Sequence, residues 1–358
     1  RQEYSMKNKI LTGLLLVLIG GWGSLSAQSA GSNYARQVNT LIGTKGVGLT
    51  SGYLYPGATY PYGMVQFTPS YFSKRSGFVI NQLSGGGCEH MGNFPTFPVK
   101  GKLKMSPDNI LNYRINISEE KGHAGYYEAM VQEDIKAKLT VTERTGMASY
   151  EYPADQQYGT VIIGGGISAT PIEQAAIVIT APNKCEGYAE GGNFCGLRTP
   201  YKVYFVAEFD TDALESGTWK RDELKPNTTF AEGEYSGVYF TFDVNKKKNI
   251  QYKIGVSYVS VENARENLKA ENTGWDFLQI QNQAESKWNH YLGKIEVEGT
   301  NPDRTTQFYT HLYRSFIHPN VCSDVNGEYM GADFKVHKSR SKHYTSFSNW
   351  DTYRTQIQ

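Results

Sequence analysis

The stretch QYKIGVSYVSVENARENLKAEN, residues 251–272, contains the change of pattern that decides the fold. Its first half alternates apolar and polar residues, which predicts a β-strand with one buried face. At Ser260 the alternation ends, and a serine here is a good N-cap for a helix that starts with the next residue. The sequence therefore predicts a β-rich part before Ser260 and a helical part after it.

Between Tyr34 and Ser260 the chain consists of short alternating runs separated by Gly, Pro and Asn. Five of these runs are GMVQFTP (63–69), YYEAMVQED (126–134), KAKLTVTER (136–144), YKVYFVAEF (201–209) and GVYFTFDV (237–244). Such runs are typical of half-buried antiparallel strands, and many of them in succession predict a large β-sandwich.

After Ser260 the apolar residues recur with the period of an α-helix. One face of a predicted helix carries Phe277, Ile280, Ala284, Trp288 and Tyr291. A second predicted helix has Asn301 as its N-cap and Pro302 in the first position, and it ends before Pro319. Its apolar stripe consists of Phe308, Leu312 and Phe316. The segment FSNWDTYRTQIQ (347–358) is expected to begin another helix.

The composition is that of a folded protein with a nearly neutral surface. Lys and Arg number 36 against 35 Asp and Glu, and the hydrophobic fraction is 39%. The basic run Lys246–Lys248 is short, so there is no electrostatic case for nucleic-acid binding. The 26 tyrosines contribute to an aromatic fraction of 13%. Tyrosine serves binding surfaces and β-strands equally well, so this excess is consistent with either use.

Residues 1–27 have the features of a secretory signal peptide. Lys7 and Lys9 precede the apolar run ILTGLLLVLIGGW, and small residues precede Gln28. This pattern predicts cleavage after Ala27 and export to the periplasm or the exterior. The apolar run is shorter than the ~20 residues of a spanning helix. No membrane span is therefore predicted in the mature chain.

The chain has four cysteines, and export would permit disulfides between them. They are Cys88, Cys185, Cys195 and Cys322. Cys185 and Cys195 flank the glycine-rich EGYAEGGNF, which could form a hairpin loop and place the two thiols side by side. A bridge between them and buried free thiols both remain open. The absence of a CxxC pair argues against a structural zinc site.

Two segments in the β-rich part could carry chemistry. GYLYPGATYPYGMVQFTP (52–69) has the Pro and Gly content of a rigid loop that holds aromatic rings, or of a plain structural turn. QLSGGGCEHMGNFPTFPV (82–99) has three consecutive glycines, but no helix pattern or GK[ST] follows, which argues against a phosphate loop. Glu89 and His90 could bind sugar hydroxyls or a metal, although a single histidine is more often structural.

A third segment, Trp350 to Arg354, places an indole, a carboxylate and a guanidinium together. On a helix Asp351 and Arg354 share a face and could form an ordinary ion pair. The same residue types suit a sugar, since indole covers the ring face and charged groups bind paired hydroxyls. Spacing alone does not choose between these interpretations.

Taken together, these segments resemble glycoside hydrolase family 92. The resemblance is carried first by VNTLIGT (38–44), YPGATYPYGMVQFTP (55–69) and LSGGGCEHMGNFP (83–95). It continues in FYTHLYRSFIHPNVCSDVNGEYMGAD (308–333) and YTSFSNWDTYR (344–354). These motifs frame the whole mature chain in the family's order.

The resemblance implies an exported, calcium-dependent, exo-acting α-mannosidase that cleaves mannose-containing glycans with inversion. Its fold is an N-terminal β-sandwich joined by helices to an (α/α)6 barrel, with the active site between them. Inversion needs a protonated carboxylic acid and a carboxylate that activates water. The resemblance places both, with most calcium ligands, beyond residue 358, so no catalytic residue is expected in this chain.

The resemblance also implies two groups of substrate-binding residues. Trp350, Asp351 and Arg354 match the motif that holds mannose hydroxyls in the −1 subsite. Gly86, Gly87, Cys88, Glu89 and His90 match the loop at the rim of the substrate pocket. The text VINQLSGGGCEHMGN (79–93) departs from the His-rich family pattern, so linkage preference cannot be carried over.

The expected organisation is a signal peptide (1–27), a β-sandwich (28–260), a helical linker (261–300) and the start of an incomplete barrel (301–358). The first hypothesis is the N-terminal portion of an α-mannosidase that is inactive as given. The alternative is a non-catalytic carbohydrate-binding protein, against which the apolar helix face at the C-terminus argues. A third hypothesis, another glycosidase class that uses Glu89 or Asp351 as catalyst, is less favoured.

Overall fold

The computed structural model of this chain describes residues 33–45, 52–70, 77–107 and 116–345. Within these ranges the β-rich part forms two antiparallel sheets that pack face to face, so the predicted β-sandwich is confirmed. The predicted signal peptide and the segment that contains Trp350, Asp351 and Arg354 lie outside the described residues.

The smaller sheet has eight strands in the described part of the chain. They are β1 (Ala58–Thr59), β2 (Gln66–Pro69), β3 (Phe78–Val79), β4 (Thr96–Lys100), β9 (Tyr158–Gly164), β13 (Glu215–Lys220), β14 (Glu223–Pro226) and β16 (Ser236–Asp243). Their order across the sheet is β1-β2-β3-β4-β9-β16-β13-β14. The early loops of the chain thus join the edge of this sheet, next to strands that come much later.

The larger sheet has nine strands among the described residues. They are β5 (Ile117–His123), β6 (Tyr126–Val131), β7 (Ile135–Val141), β8 (Thr145–Glu151), β10 (Ile172–Ala181), β11 (Lys184–Phe194), β12 (Leu197–Phe209), β15 (Phe230–Glu232) and β17 (Asn249–Ser257). Their order is β15-β10-β11-β12-β17-β8-β7-β6-β5. The long hairpin β11–β12 pairs from Lys184 opposite Glu208 to Phe194 opposite Leu197, with one register shift between Gly191 and Asn193.

The core between the sheets is formed by alternate residues of each strand, which point inward. Many of these residues carry aromatic rings. Phe94 lies 4.2 Å from Phe205 between ring centroids, and Phe78 stacks on Tyr150 at 6.3 Å. All four side chains are fully buried. Each such ring stabilises the folded state by roughly 1.5–3 kcal/mol through burial. The aromatic excess in the sequence therefore serves the sandwich core at these positions.

Four helices lie in the described ranges: α1 (Tyr34–Gln37), α2 (Val261–Glu271), α3 (Phe277–Leu292) and α4 (Pro302–Ser315). The predicted caps are confirmed. The Ser260 side chain accepts from the Asn263 N–H, and the Asn301 side chain accepts from the N–H groups of Asp303 and Arg304. These contacts satisfy donors that the first turn of a helix leaves free.

The buried face of α3 agrees with the prediction at Ile280, Ala284 and Trp288, whereas that of α4 is displaced by one residue. Tyr309 and Tyr313 of α4 are fully buried. The residues of the predicted stripe are only partly buried and pack against the edge of this cluster: Phe308, Leu312 and Phe316. The Tyr313 hydroxyl lies 2.7 Å from the Thr59 hydroxyl, so the buried ring keeps a hydrogen-bond partner.

A buried carboxylate fastens α3 to the start of the described chain. Glu285 accepts hydrogen bonds from Arg36 at 3.1 Å and from Gln281 at 2.7 Å, and its Oε1 lies 2.9 Å from His123 Nε2. Burial works to raise the pKa of Glu285, but these partners outweigh it and lower the pKa to about 2. The carboxylate therefore joins α1, β5 and α3 in its ionised form.

After α4 the described chain forms two small sheets instead of further helices. β18 (Asn320–Val321) pairs with β21 (Tyr344–Thr345), and β19 (Glu328–Met330) pairs with β20 (Val336–Lys338). The barrel helices expected after residue 301 are thus represented in the described residues by α4. No described helix has the length and apolar character needed to cross a membrane.

Candidate functional site

The glycine loop, defined here as residues 82–93, lies within the connection between β3 and β4. Its base is buried and its tip, at Gly87 and Glu89, is exposed. Gly85 and Gly92 have φ of +81° and +72°, and Met91 has φ of +45° in the same left-handed region. A bulky residue rarely adopts this conformation unless its surroundings impose it, and such positions are concentrated at functional sites.

His90 holds the glycine loop from the inside. His90 is only 2% exposed, and its Nε2 accepts the Leu83 N–H at 2.8 Å. Its Nδ1 lies 2.6 Å from the Cys88 carbonyl oxygen, so Nδ1 carries the proton and donates. A Cβ added to Gly86 would lie 2.8 Å from the ring. Gly86 is therefore required where the imidazole packs.

This environment keeps His90 neutral. Burial lowers the pKa of His90 to about 4, and the nearby His318 acts in the same direction against two backbone hydrogen bonds. Because both ring nitrogens bind the loop's own backbone, the side chain acts on the loop and presents no nitrogen to a metal.

A disulfide fixes the loop from the outside. Cys88 is bonded to Cys195, with 5.3 Å between their Cα atoms. Cys195 lies in the turn between β11 and β12, and the preceding Phe194 ring packs edge-on against His90 at 5.6 Å. The tip of the β11–β12 hairpin and the glycine loop are thus one covalently joined unit.

Of the alternatives that the sequence left open, the Cys185–Cys195 bridge is not formed, and Cys185 and Cys322 are buried free thiols. The segment EGYAEGGNF is part of strand β11 rather than a hairpin loop. Ten residues of extended strand separate the two cysteines by roughly 33 Å. A Cβ on Gly187 would lie 2.1 Å from the Ala176 carbonyl oxygen. This glycine allows β10 to approach β11 closely. From composition alone, the glycine-rich segment looked like a turn.

A pocket of about 400 Å³ adjoins the glycine loop where the sandwich meets the helices. This tyrosine pocket is lined by Tyr62, Tyr291, Ser315, Phe316, His318, Pro319 and Tyr344. The Tyr62 ring stands edge-on to Tyr291, with centroids 5.7 Å apart. Its size is within the range of small-molecule sites, about 300–1,000 Å³. Its rings offer the apolar faces that a sugar ring requires.

His318 connects the loop to this pocket. Its Nε2 accepts the Ser84 N–H at 3.2 Å, and its Nδ1 lies 2.9 Å from Asn320 Oδ1. The loop that contains the five predicted residues Gly86 to His90 is therefore linked at Ser84 to a residue that lines the pocket. Trp350, Asp351 and Arg354 lie outside the described residues, which end at Thr345, a neighbour of the pocket residue Tyr344. The substrate-binding role of both groups stays a prediction.

Two carboxylates close to the sandwich–helix junction do not form an acid–base pair. Glu143 and Glu271 both bind Arg144 Nη1, each at 2.6 Å. Hydrolysis of a glycoside requires one of two carboxyl groups to be protonated. Both carboxylates are instead held by one shared guanidinium, and this cluster joins the β7–β8 turn to α2.

A buried aspartate fastens the segment after α4 to the sandwich. Asp324 accepts hydrogen bonds from Ser257 at 2.7 Å, Asn263 at 2.8 Å and Asn267 at 2.6 Å. Burial raises the pKa of Asp324 despite these partners. Its donors point inward at the carboxylate, which makes this a structural contact between β17, α2 and the chain after β18.

The described residues contain no cluster of acidic or histidine side chains for a calcium ion. Among them, no group of three or more His, Cys, Asp or Glu side chains is placed to hold a metal. Calcium takes about six to eight oxygen ligands.

Sequence reasoning missed His318, Asn320 and the partner of Cys88. His318 and Ser84 are 234 residues apart, so no local pattern joins them. The position of Cys185 offered one usable signal. Alternation in β11 places it on the core side, out of reach of the hairpin tip where Cys195 lies.

Comparison with known proteins agrees with this architecture. Residues 37–257 match the glycosyl hydrolase family 92 N-terminal domain, and residues 263–358 match the family's catalytic domain. A family 92 α-mannosidase from Bacteroides thetaiotaomicron has a similar structure, with a TM-score of 0.79 and 26% identity over 90% of this chain and 46% of that one. The same enzyme is also known in complex with mannoimidazole.

Two further relatives agree. An inverting family 92 mannosidase from the same bacterium has a TM-score of 0.72 at 23% identity, with 90% of this chain and 45% of that chain covered, which supports the fold. An uncharacterized secreted glycosidase of Arthroderma benhamiae is 26% identical over 90% of this chain and 45% of its own length. The chain thus spans about half the length of these relatives. With both family domains matched in order, this chain belongs to glycosyl hydrolase family 92.

Proposed function

We propose that this chain supplies the sandwich and one wall of the substrate pocket to an exported α-mannosidase that removes terminal α-linked mannose from glycans with inversion. The observation that carries the proposal is the glycine loop, held by His90 and the Cys88–Cys195 bridge, beside a tyrosine pocket at the sandwich–helix junction. Family membership and the α-mannosidase relatives support the choice of sugar.

In this proposal the described residues position the sugar and do not transfer protons. The tyrosine pocket provides apolar ring faces, and the exposed Gly87 and Glu89 form the rim that faces the rest of the glycan. Asp351, with Trp350 and Arg354, binds mannose hydroxyls in the −1 subsite. The catalytic acid and base belong to the part of the family's catalytic domain that this chain does not cover, and so do most of the calcium ligands.

The test is mannose release from an aryl α-mannoside, with an aryl α-glucoside as control substrate. We expect turnover from an enzyme completed with the rest of a family 92 catalytic domain, and none from residues 28–358 alone, even with calcium. The anomer that forms first, followed by proton NMR, is expected to be β-mannose, because inversion converts an α-linkage to the β-product. Mannose release by the chain alone would refute the placement of the catalytic pair.

A paired substitution separates the subsite from the rim. In the completed enzyme Asp351→Ala is expected to raise the activation free energy for kcat/KM by about 2–4 kcal/mol, because a charged hydrogen bond to the reacting sugar is lost. Glu89→Ala removes an exposed carboxylate and is expected to have a smaller effect. Equal losses would argue against placing Asp351 in the −1 subsite.

A further inference from the structure

Two consecutive amides at the base of the glycine loop are held by two histidines from distant parts of the chain. The Leu83 N–H donates to His90 Nε2 at 2.8 Å, and the Ser84 N–H donates to His318 Nε2 at 3.2 Å. His90 belongs to the loop itself, whereas His318 follows α4 and lines the tyrosine pocket. The second contact therefore connects the loop to the opposite side of the sandwich–helix junction.

A chain of hydrogen bonds determines which way the His318 ring is protonated. The Asn320 side-chain amide donates to the carbonyl oxygens of Gly63 at 2.8 Å and Ile317 at 3.0 Å. Both amide protons are thus directed away from His318, and Oδ1 faces His318 Nδ1 at 2.9 Å. An amide oxygen can only accept, so Nδ1 must carry the proton and Nε2 must accept. Asn320 is 7% exposed, which keeps this orientation in place.

We infer that His318 is a positioning residue that sets the glycine loop against the tyrosine pocket, with Asn320 fixing the tautomer that this requires. Among the described residues the loop is also held by the Cys88–Cys195 bridge and by the Gly85 N–H, which donates to the Tyr53 carbonyl oxygen at 2.9 Å. Further hydrogen bonds join it to the sandwich part: the Gln82 N–H donates to Gln66 Oε1 at 3.2 Å, and the Met91 carbonyl oxygen accepts the Ala169 N–H at 2.7 Å. His318 adds an attachment to the segment that follows α4.

The consequence for substrate rests on the proposed function. The tip residues Gly87 and Glu89 lie three and five residues after Ser84, so a shift at Ser84 moves the rim relative to the pocket. His318 would then affect the acceptance of the group attached to mannose more than the binding of mannose itself. In the completed enzyme, His318→Leu is therefore expected to raise the KM for extended glycans and to change the KM for a small aryl mannoside little.

The closing experiment reads the loop directly through its own disulfide. The full chain is treated with dithiothreitol, and the appearance of free Cys88 and Cys195 is followed by thiol labelling and mass spectrometry. His318→Leu is expected to accelerate reduction about fivefold, the effect of losing one ordinary hydrogen bond that holds the loop closed. His311→Leu, at an exposed position of α4, is the matched control and is expected to reduce at the wild-type rate.

A second pair of variants keeps the test decisive if His318→Leu fails to fold. The side-chain oxygen of His318→Gln reaches the place of Nε2, whereas that of His318→Asn reaches only the place of Nδ1. We expect slow reduction for the glutamine variant and fast reduction for the asparagine variant. Equal rates for these two variants overturn the inference. Because no mannosidase activity is measured, that outcome leaves the proposed function standing, and an inactive completed enzyme would not affect this test.

Discussion

The most direct test of the site's electrostatics is the acid sensitivity of His90. This residue is neutral and buried in the folded protein, with its pKa lowered from 6.5 to about 4. In the unfolded chain the imidazole is exposed and takes up a proton near its ordinary pKa. Between these two values the unfolded state binds a proton that the folded state does not, so acid favours unfolding.

The size of the effect is given by the separation of the two pKa values. Each unit corresponds to about 1.4 kcal/mol, so His90 contributes about 3 kcal/mol of pH-dependent stability. The contribution is complete above the unfolded pKa and is lost as the pH falls through the folded pKa of about 4. Stability attributable to His90 therefore rises from about pH 4 to about pH 7.

The assay is urea unfolding of wild type and His90→Gln at several values between about pH 4 and about pH 7. Glutamine can still accept the Leu83 N–H but cannot take up a proton. The free energy of unfolding of wild type, relative to that of the variant, is expected to fall by about 3 kcal/mol as the pH is lowered from about 7 to about 4. Other titrating groups, Glu285 and Asp324 among them, occur in both proteins and cancel in the difference.

His311→Gln is the control, because its ring is exposed in the folded state as it is in the unfolded chain. If the His90→Gln difference varies with pH no more than the difference of this control, the imidazole is not a buried neutral acceptor. The account of how the glycine loop is held would then be refuted.

Three further predictions concern packing and charge. Gly86→Ala is expected to destabilise the protein by about 1–3 kcal/mol in urea unfolding, because its Cβ would lie 2.8 Å from His90. Gly87→Ala is the control and should change little, since the nearest atom is 3.9 Å away; equal losses would contradict the packing argument. Glu285→Gln is expected to lower stability by about 2 kcal/mol near neutral pH. Because its pKa is depressed from 4.5 to about 2, this difference should be complete above pH 4.5 and vanish toward pH 2 in thermal melts. Trp288→Phe is expected to lose about 2 kcal/mol, since the indole N–H donates to a buried carbonyl oxygen at 2.7 Å; an unchanged urea midpoint would contradict this.

The sandwich could be predicted from the sequence because its strands obey a local rule. β6 alternates partly buried and buried residues along its length, β7 does so over its first five residues, and Ser260 caps α2 as its position before the helical spacing indicated. Such signals need only neighbouring residues. They survive in a single sequence because each strand or helix end must satisfy its own side-chain pattern and its own backbone donors.

The site could be predicted only as a list of residues. Composition singled out Gly86 to His90, but it did not indicate that His90 points inward or that Gly86 makes room for its ring. β11 was misjudged because glycines that allow close strand approach look the same in sequence as glycines of a turn. The contact between Ser84 and His318 depends on the docking of whole elements, which no local pattern encodes.

The Cys88–Cys195 bridge has a consequence for how this protein is made. The two cysteines are 107 residues apart, so the glycine loop is synthesised long before the hairpin tip that tethers it. The ladder hydrogen bonds and the buried core of the two sheets do not include this covalent tie, so a reducing cytosol withholds the tie without removing those contacts. If the reduced chain folds, circular dichroism reports its sheets and not the bridge. For recombinant work, the state of one disulfide is thus a better measure of quality than the yield of folded protein.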